Sequence, residues 1–408
     1  MLQLSLLREN PDSVRQSILR RGLKVDLDRW LSLDRRRAEL IPQVEQARSA
    51  MKLKGKPTPE ELKHMQVAKR ELTEREEELA YIEAEWQRLL EDMPNLIADG
   101  TPDGGEEANR EERTGGVRPE FDFTPKDHLE LNQQLKYVDF ESGAKVAGSR
   151  FYYLADKGSR LWDAIELLAK RELRKRGFEI MTVPHMVNQR VAAGTGFLPR
   201  GEERQIYKVE EADLNLIATA ELPLTGLMMD EVLEVAQPIK LAASSPCYRL
   251  EAGTYGKFSK GLYRVHQFNK LEMYVYCRPE DSANLLEEIV AIEEALCQQM
   301  EIPYRVVRIA AGDLSAPAYK KYDLEYWSPV DASYRELTSC SDCTDYQARR
   351  LNVRYRTPEG KLDYVHTLNG TAVTSGRGLI AVIENHQTAD GRVRLPAALA
   401  DIYGGEYL

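Results

Sequence analysis

Between residues 28 and 93 the chain repeats apolar residues at spacings of three and four, and such a repeat can fold in few ways. Leu33, Leu40, Val44, Ala47 and Met51 carry it first, with Arg37 breaking the stripe. Met65, Ala68, Leu72, Leu79, Ile82, Trp86, Leu89 and Met93 carry it again, interrupted by Arg75. Residues three and four apart share one side of an α-helix, so each run lines a coiled-coil seam. Thr58 is placed as N-cap of the second helix, with Pro59 in its first turn and Glu61 closing a capping box. Pro94 ends it, and a helix over 59–93 would be roughly 50 Å long. Lys54-Gly55-Lys56-Pro57 supplies a turn, so the helices are expected to run antiparallel. Pro42 sits inside the first of them and removes a hydrogen bond. It predicts a kink, or a helix that starts later.

The tip of this hairpin is basic. No acid lies between Glu45 and Glu60, whereas Arg48, Lys52, Lys54 and Lys56 do. One reading is a solvated coil that serves dimerisation. The other is an arm whose cationic end reaches phosphates far from the body.

The other 300 or so of the 408 residues have a different character. A net charge of -10 gives no general attraction to nucleic acid, so such binding needs a local basic patch. Five scattered cysteines suit a reducing compartment rather than a disulfide framework. Cys340 and Cys343 form a lone C-x-x-C with no second ligand pair at zinc spacing. No apolar run is long enough to span a membrane and the N-terminus has no signal-peptide pattern, so a soluble, cytoplasmic protein is expected.

Residues 97–120, rich in glycine and acids, read as a linker. From 121 to 408 a mixed domain is expected. A helix is placed at Arg160–Arg176, then a strand at Phe178–Val183. Further strands are placed at Gln205–Val209, Leu214–Ala218, Ile239–Ala243, Tyr304–Ile309, Lys321–Trp327 and Ser333–Ser339. Helices are placed at 220–234 and 280–298. Runs of strands with short connections predict an α+β antiparallel sheet rather than a doubly wound one. Neither a G-x-x-x-x-G-K-[ST] loop nor a G-x-G-x-x-G after a strand is present, so nucleotide binding would use other means.

Cys247 to Glu272 is the most unusual segment. It reads as a hairpin, 247–251 against 264–277, around the glycine-rich basic loop Ala252–Gly261. Arg249 and Glu251, then Arg264, His266, Phe268, Lys270 and Glu272, alternate and would share one face of two strands. A solvated sheet face is one explanation. A site for an anionic aromatic ligand is the other, with arginines for phosphates, Phe268 for a base and Glu272 for a cation.

These segments resemble the class II seryl-tRNA synthetases of bacterial type, over essentially the whole chain. The likeness is carried by L-L-R-E-N-P at 6–11, the coiled-coil arm, F-D-F-T-P-K-D-H at 121–128 and G-S-R-F-Y-Y-L at 148–154. It continues in T-A-E at 219–221, P-C-Y-R-L-E-A-G at 246–253, H-Q-F-N-K-L-E at 266–272 and Y-R-E-L-T-S-C-S at 334–341. H-T-L-N-G-T at 366–371 and G-R-G-L-I-A-V-I-E-N at 376–385 complete it. The resemblance implies a tRNA-binding domain over 1–96 with an antiparallel coiled-coil arm at about 28–93, a linker over 97–120, and a class II antiparallel β-sheet catalytic domain flanked by helices over 121–408.

The activity implied is serine–tRNA ligation: L-serine and ATP give seryl-adenylate, and the seryl group passes to the tRNA 3′ end. Arg249 would hold the α-phosphate and the serine carboxylate. Arg264 and Arg377 would clamp the remaining phosphates and the adenine face. Phe268 would stack on adenine and Glu251 would bind its amino group. Glu336 and Ser339 match the positions for Mg²⁺ and phosphate. Thr219, Glu221, Glu272, Asn369 and Thr371 match the serine pocket, Glu272 for the ammonium and Thr371 for the hydroxyl. Arg249, Glu336 and Arg377 are the catalytic candidates. Arg48, Lys52, Lys54 and Lys56 would meet tRNA(Ser), with tRNA(Sec) a second substrate where an organism has one. A homodimer through the helix–strand segment ending at Pro184 is implied. A paralogue with a biosynthetic or inhibitor-resistance role, and a non-catalytic tRNA-binding homologue, are the competing readings.

Overall fold

The computed structural model describes residues 1–51, 59–197, 206–251 and 260–408, residues 59–63 by backbone alone. The chain divides into two compact units, Met1–Leu96 and Ile97–Leu408.

The first unit is helical. Helices α1 (Leu4–Glu9) and α2 (Pro11–Arg20) precede α3 (Leu27–Ala50) and α4 (Pro59–Asp92). The seam is where the three-four repeat puts it. Leu33, Leu40 and Val44 of α3 are buried, as are Ile82, Trp86 and Leu89 of α4 and Met93 just beyond it. Ion pairs Arg29–Glu85 and Arg36–Glu78, at 2.7 and 2.8 Å, fix the antiparallel register. Beyond the seam, Leu7, Val14, Ile18 and Trp30 complete a core at the base of the hairpin. Pro42 behaves differently from one of its two expectations. The helix does not start late: it begins at Leu27, capped by the Asp26 carboxylate, and runs through Pro42. Pro42 is exposed, so the carbonyl it leaves unbonded faces water. The expected turn at 54–57, the Thr58 cap and Lys52, Lys54 and Lys56 lie outside the described residues.

The second unit is built on an eight-stranded sheet. Its strands are β1 (Arg110–Gly115), β2 (Glu179–Met181), β3 (Ile239–Tyr248), β4 (Gln267–Cys277), β5 (Tyr304–Arg308), β6 (Lys320–Ser328), β7 (Ser333–Thr344) and β8 (His366–Thr374). They lie in the order β1-β5-β6-β7-β8-β4-β3-β2. Every pair is antiparallel except β2 with β3. Helices α5 (Asp156–Lys175), α6 (Glu221–Gly226), α7 (Ser282–Gln299) and α8 (Arg377–Asn385) complete the part that matters for the site. Alternation along β4 shows how the sheet is used. Leu271, Met273, Val275 and Cys277 enter the main core with residues of α5, α7 and α8. Tyr274 and Tyr276 point the other way, into a second cluster with Leu351 and Val353. Phe268, Lys270 and Glu272 share that second face. Gly370 on β8 lets α7 approach, because a Cβ there would meet Ile289 Cγ2 at 2.4 Å.

Four expectations need correction. Residues 97–120 are not merely a linker, since 110–115 pairs with β5 at the sheet edge. All but the last of its side chains are exposed, so no apolar alternation marked it. Residues 247–251 and 264–277 are not strands throughout. Strand β3 ends at Tyr248 and β4 begins at Gln267, and Glu251 adopts a left-handed φ of 47°. The helix placed at 220–234 stops at Gly226. Lys208 meets Asn215 only as an isolated bridge, and no strand is assigned over 206–209.

Candidate active site

Strands β4, β7 and β8, the chain just past β3 and the start of α8 surround one cleft. Arg249, Glu251, Phe268, Lys270, Glu336, Ser339, Thr371 and Arg377 line it.

One end is cationic and aromatic. Arg249 lies just past β3, where its N–H donates to the His266 carbonyl at 2.9 Å. The His266 ring returns the link through Nδ1, 3.0 Å from the Arg249 carbonyl oxygen. The Arg249 guanidinium then sits 5.2 Å from the Phe268 ring centre, a cation–π distance. Although Arg249 and Glu251 do not alternate on a regular strand, both reach the cleft. Glu251 pairs with Arg264 at 3.5 Å, and Arg264 lines an adjoining pocket with Tyr263, Glu336 and Arg377 rather than the main cleft.

Arg377 begins α8 and pairs with Glu336 of β7 at 2.8 Å. Burial works against charge on Glu336, but Arg377, Lys321 and Arg249 outweigh it and hold the carboxyl down to about 2. Its side chain remains 43% exposed, so it stays ionised and open to a ligand. Ser339, three residues on, faces the same cleft. Among the described residues no group of three or more His, Cys, Asp or Glu side chains could hold a metal ion. A cation here would therefore need ligands from a bound phosphate as well.

The other end is acidic and buried. Glu272 is 1% exposed and forms an ion pair with Lys270 of the same strand. Lys270 Nζ also donates to Thr219 Oγ1 at 3.1 Å. Glu221, in the first turn of α6, accepts from Gln347 Nε2 at 2.7 Å and from Asn369 Nδ2 at 3.1 Å. Burial, then the charge of Glu272, push the Glu221 carboxyl up to about 7. Burial also pushes Glu272 up, with Lys270 pulling it back. Thr371 stands opposite Glu272 in the β4–β8 ladder.

The structure thus brings together Arg249, Glu251, Phe268, Glu336, Ser339, Thr371 and Arg377 as lining, with Thr219, Glu221, Glu272 and Asn369 joined behind them by hydrogen bonds and charge. Arg48 lies in the first unit, paired with Glu76 at 2.7 Å. Sequence reasoning gave no part to two residues. Lys270 had a signal, its two-residue offset from Glu272. Gln347 had none, since its link to Glu221 spans 126 positions. Each of its polar atoms is used: Oε1 also accepts from Tyr274 and Thr367.

An antiparallel sheet that carries an arginine beside an aromatic ring, with an Arg–Glu pair at a helix start, is consistent with a class II aminoacyl-tRNA synthetase core, the class that the family models match. The family model "tRNA synthetase class II core domain (G, H, P, S and T)" matches residues 207–386. "Seryl-tRNA synthetase N-terminal domain" matches residues 1–97. Among curated relatives, a serine–tRNA ligase of Dictyoglomus turgidum is 42% identical over 99% of this chain and 98% of its own length. One from Rubrobacter xylanophilus is 43% identical over 100% and 99%. The solved seryl-tRNA synthetase of Pyrococcus horikoshii, complexed with ATP, superposes with a TM-score of 0.89 at 37% identity, covering 100% of this chain and 99% of that one. A cytoplasmic serine–tRNA ligase of Naegleria fowleri with AMP gives 0.85 at 30%, covering 100% and 98%. This chain belongs to the seryl-tRNA synthetases.

Proposed function

We propose that the chain activates L-serine with ATP and transfers the seryl group to the 3′ end of tRNA(Ser), and to tRNA(Sec) where one exists. The observation that carries this is one cleft with two chemistries. A guanidinium–aromatic end suits a nucleotide, and a buried carboxylate–hydroxyl end suits a small amino acid. The relatives solved with ATP and AMP support the nucleotide.

Activation requires no general base. The serine carboxylate oxygen attacks the α-phosphorus, pyrophosphate leaves, and negative charge builds on the phosphoryl oxygens. Arg249, at the cationic end but bonded through Nε to the Ala218 carbonyl next to Thr219, stabilises that charge and holds the carboxylate against the phosphate. Phe268 stacks on adenine, Glu251 takes its amino group, and Arg264 and Arg377 hold the outer phosphates. Thr219, Glu221, Asn369 and Thr371 surround the serine, and Glu272 takes its ammonium. A pocket that bonds the hydroxyl rejects alanine because its own polar groups would be left unpaired. The residues fit Mg²⁺ bound along with ATP: an ionised Glu336 and Ser339 would hold it, with the remaining ligands coming from the nucleotide. Such an ion neutralises phosphate charge. In the second step a ribose hydroxyl of the tRNA attacks the acyl carbon and AMP leaves.

The basic end of the arm, Arg48 with Lys52, Lys54 and Lys56, is assigned to the tRNA backbone. A homodimer through the helix–strand segment ending at Pro184 is part of the same reading. Val146, Tyr153 and Leu167 stay exposed near α5 and would be covered there.

Serine-dependent ATP–pyrophosphate exchange tests activation. Arg249→Ala is expected to abolish it, and near-normal exchange in that variant would overturn the assignment. Charging of total tRNA with serine tests the acceptor. Exchange without charging would indicate a paralogue serving another acceptor, and neither would indicate a non-catalytic homologue.

A further inference from the structure

The pair expected to receive the substrate's ammonium already holds a cation. Lys270 and Glu272 are 8% and 1% exposed, and they are ion-paired on one face of β4. The same Nζ donates to Thr219 at 3.1 Å. Thr219 in turn accepts from the Glu221 backbone N–H at 3.3 Å. A lysine so placed could be a competitor that serine must displace, or a resident partner that makes the carboxylate usable.

The surroundings of Glu272 decide between them. Facing it are Lys270 from its own strand, Arg249 from the end of β3, Glu221 from α6, Glu293 from α7 beneath the sheet, and Cys247 of β3. Only Lys270 and Arg249 are cationic, and Arg249 makes its cation–π contact with Phe268 at the other end. A carboxyl buried this deeply next to other acids takes up a proton unless a cation contacts it directly. A protonated Glu272 offers an ammonium far less than a carboxylate does. Lys270 lies on Oε2, and the Thr219 side chain also bonds the carboxylate.

We infer that Lys270 is a positioning residue for serine: it keeps Glu272 ionised and holds Thr219 in register beside it, so that the carboxylate can receive the amine. This rests on the reading of Glu272 as the amine's partner. Lys270 itself needs no contact with the reacting atoms.

Serine-dependent exchange by the full chain measures the Michaelis constants for serine and ATP separately. Lys270→Met is expected to raise KM for serine roughly ten-fold or more at about pH 7, the scale of one charge-assisted bond, with KM for ATP changed less than about two-fold. Without the lysine the Glu272 pKa rises further, so the variant's penalty relative to the parent shrinks as pH climbs from about 6.5 to about 8.5. The ratio cancels any titration of Glu221 common to both proteins. Lys270→Arg is expected to restore most of the loss. Lys270→Gln, uncharged but able to hydrogen-bond, is run beside the methionine variant and keeps the comparison open if that variant folds poorly. An unchanged or lowered KM for serine, or a penalty independent of pH, overturns the inference and makes Lys270 a bystander or a competitor. Glu272→Gln separates the two layers. If it leaves KM for serine unchanged, the amine-binding reading itself is wrong. If it raises KM while both neutral Lys270 variants do not, only the inference fails.

Discussion

Glu336 shows how a charge can be strongly held without being structurally indispensable. Its pKa is driven down to about 2 by Arg377, Lys321 and Arg249, yet 43% of its side chain meets solvent. Solvent screens such a pair, so its worth to folding is small. Its worth to a polyphosphate and its cation is larger, because the carboxylate is ionised at every working pH. Glu336→Ala is therefore expected to raise KM for ATP by about ten-fold and shift the Mg²⁺ requirement upward, on the scale of a lost charge-assisted contact. The melting temperature should move by no more than about 2 °C. Titrating Mg²⁺ in the exchange reaction, beside a thermal melt, checks both. A large fall in melting temperature with unchanged KM would recast Glu336 as scaffold. Gln347 is the opposite case. It is fully buried and fully bonded, so its loss would disturb Glu221 and the core together.

Helices and strands differed in how far the chain announced them. The arm was legible through its three-four repeat, and Pro59 stands in the first turn of α4 as the spacing placed it, whereas the Asp26 cap of α3 was not foreseen. Strands β4 to β7 were legible through alternation or apolar runs. The edge strand 110–115 was not, because exposed on nearly every side chain it needs no apolar residue. The break of β3 at Tyr248 was equally hidden. Three residues on, Glu251 is left-handed, and glutamate is a residue type with no preference for that conformation. For the site, the alternation of Phe268, Lys270 and Glu272 was readable along β4, but Arg249 reaches the cleft from outside a strand. One buried cluster in the arm's base was missed altogether. Asp34 accepts two bonds from Arg8, at 2.7 and 2.9 Å, and one from Trp86 Nε1 at 3.1 Å. The Arg8 bonds foremost hold its pKa below the usual carboxylate range. A depressed carboxylate pKa adds stability that is complete above the unfolded value and drains away as pH falls through the folded one. Asp34→Ala should cost the helical unit about 2 kcal/mol near neutral pH, chiefly by leaving the buried Trp86 N–H without an acceptor. That deficit should narrow below about pH 4, where the parent loses the same charge. Denaturant melts followed by helix ellipticity at several pH values measure this. A deficit that does not change with pH would assign the cost to packing alone.

Separate cores in the two units make the protein divisible in a testable way. The helical core draws only on residues of 1–96, and the sheet cores draw on residues beyond 97. Every proposed serine and ATP ligand lies in the second unit, while the cationic tip proposed for tRNA lies in the first. With a net charge of -10, the protein as a whole repels a polyanion, so tRNA affinity must come from such local patches. Excising residues 45–76 and closing the gap with a short turn would keep Leu7, Trp30, Leu33, Leu40, Ile82, Trp86 and Leu89, and hence the base of the hairpin. This variant should catalyse serine-dependent exchange at close to the parent rate, because activation draws on nothing removed. It should lose charging of tRNA(Ser) by two orders of magnitude or so, the loss expected for several phosphate contacts at moderate salt. Replacing Arg48, Lys52, Lys54 and Lys56 together with glutamine should reproduce much of that loss and flatten the salt dependence of tRNA binding. If exchange falls in step with charging, the units are not energetically separate. If charging survives the excision, tRNA is read by the catalytic unit, and the long arm serves another partner.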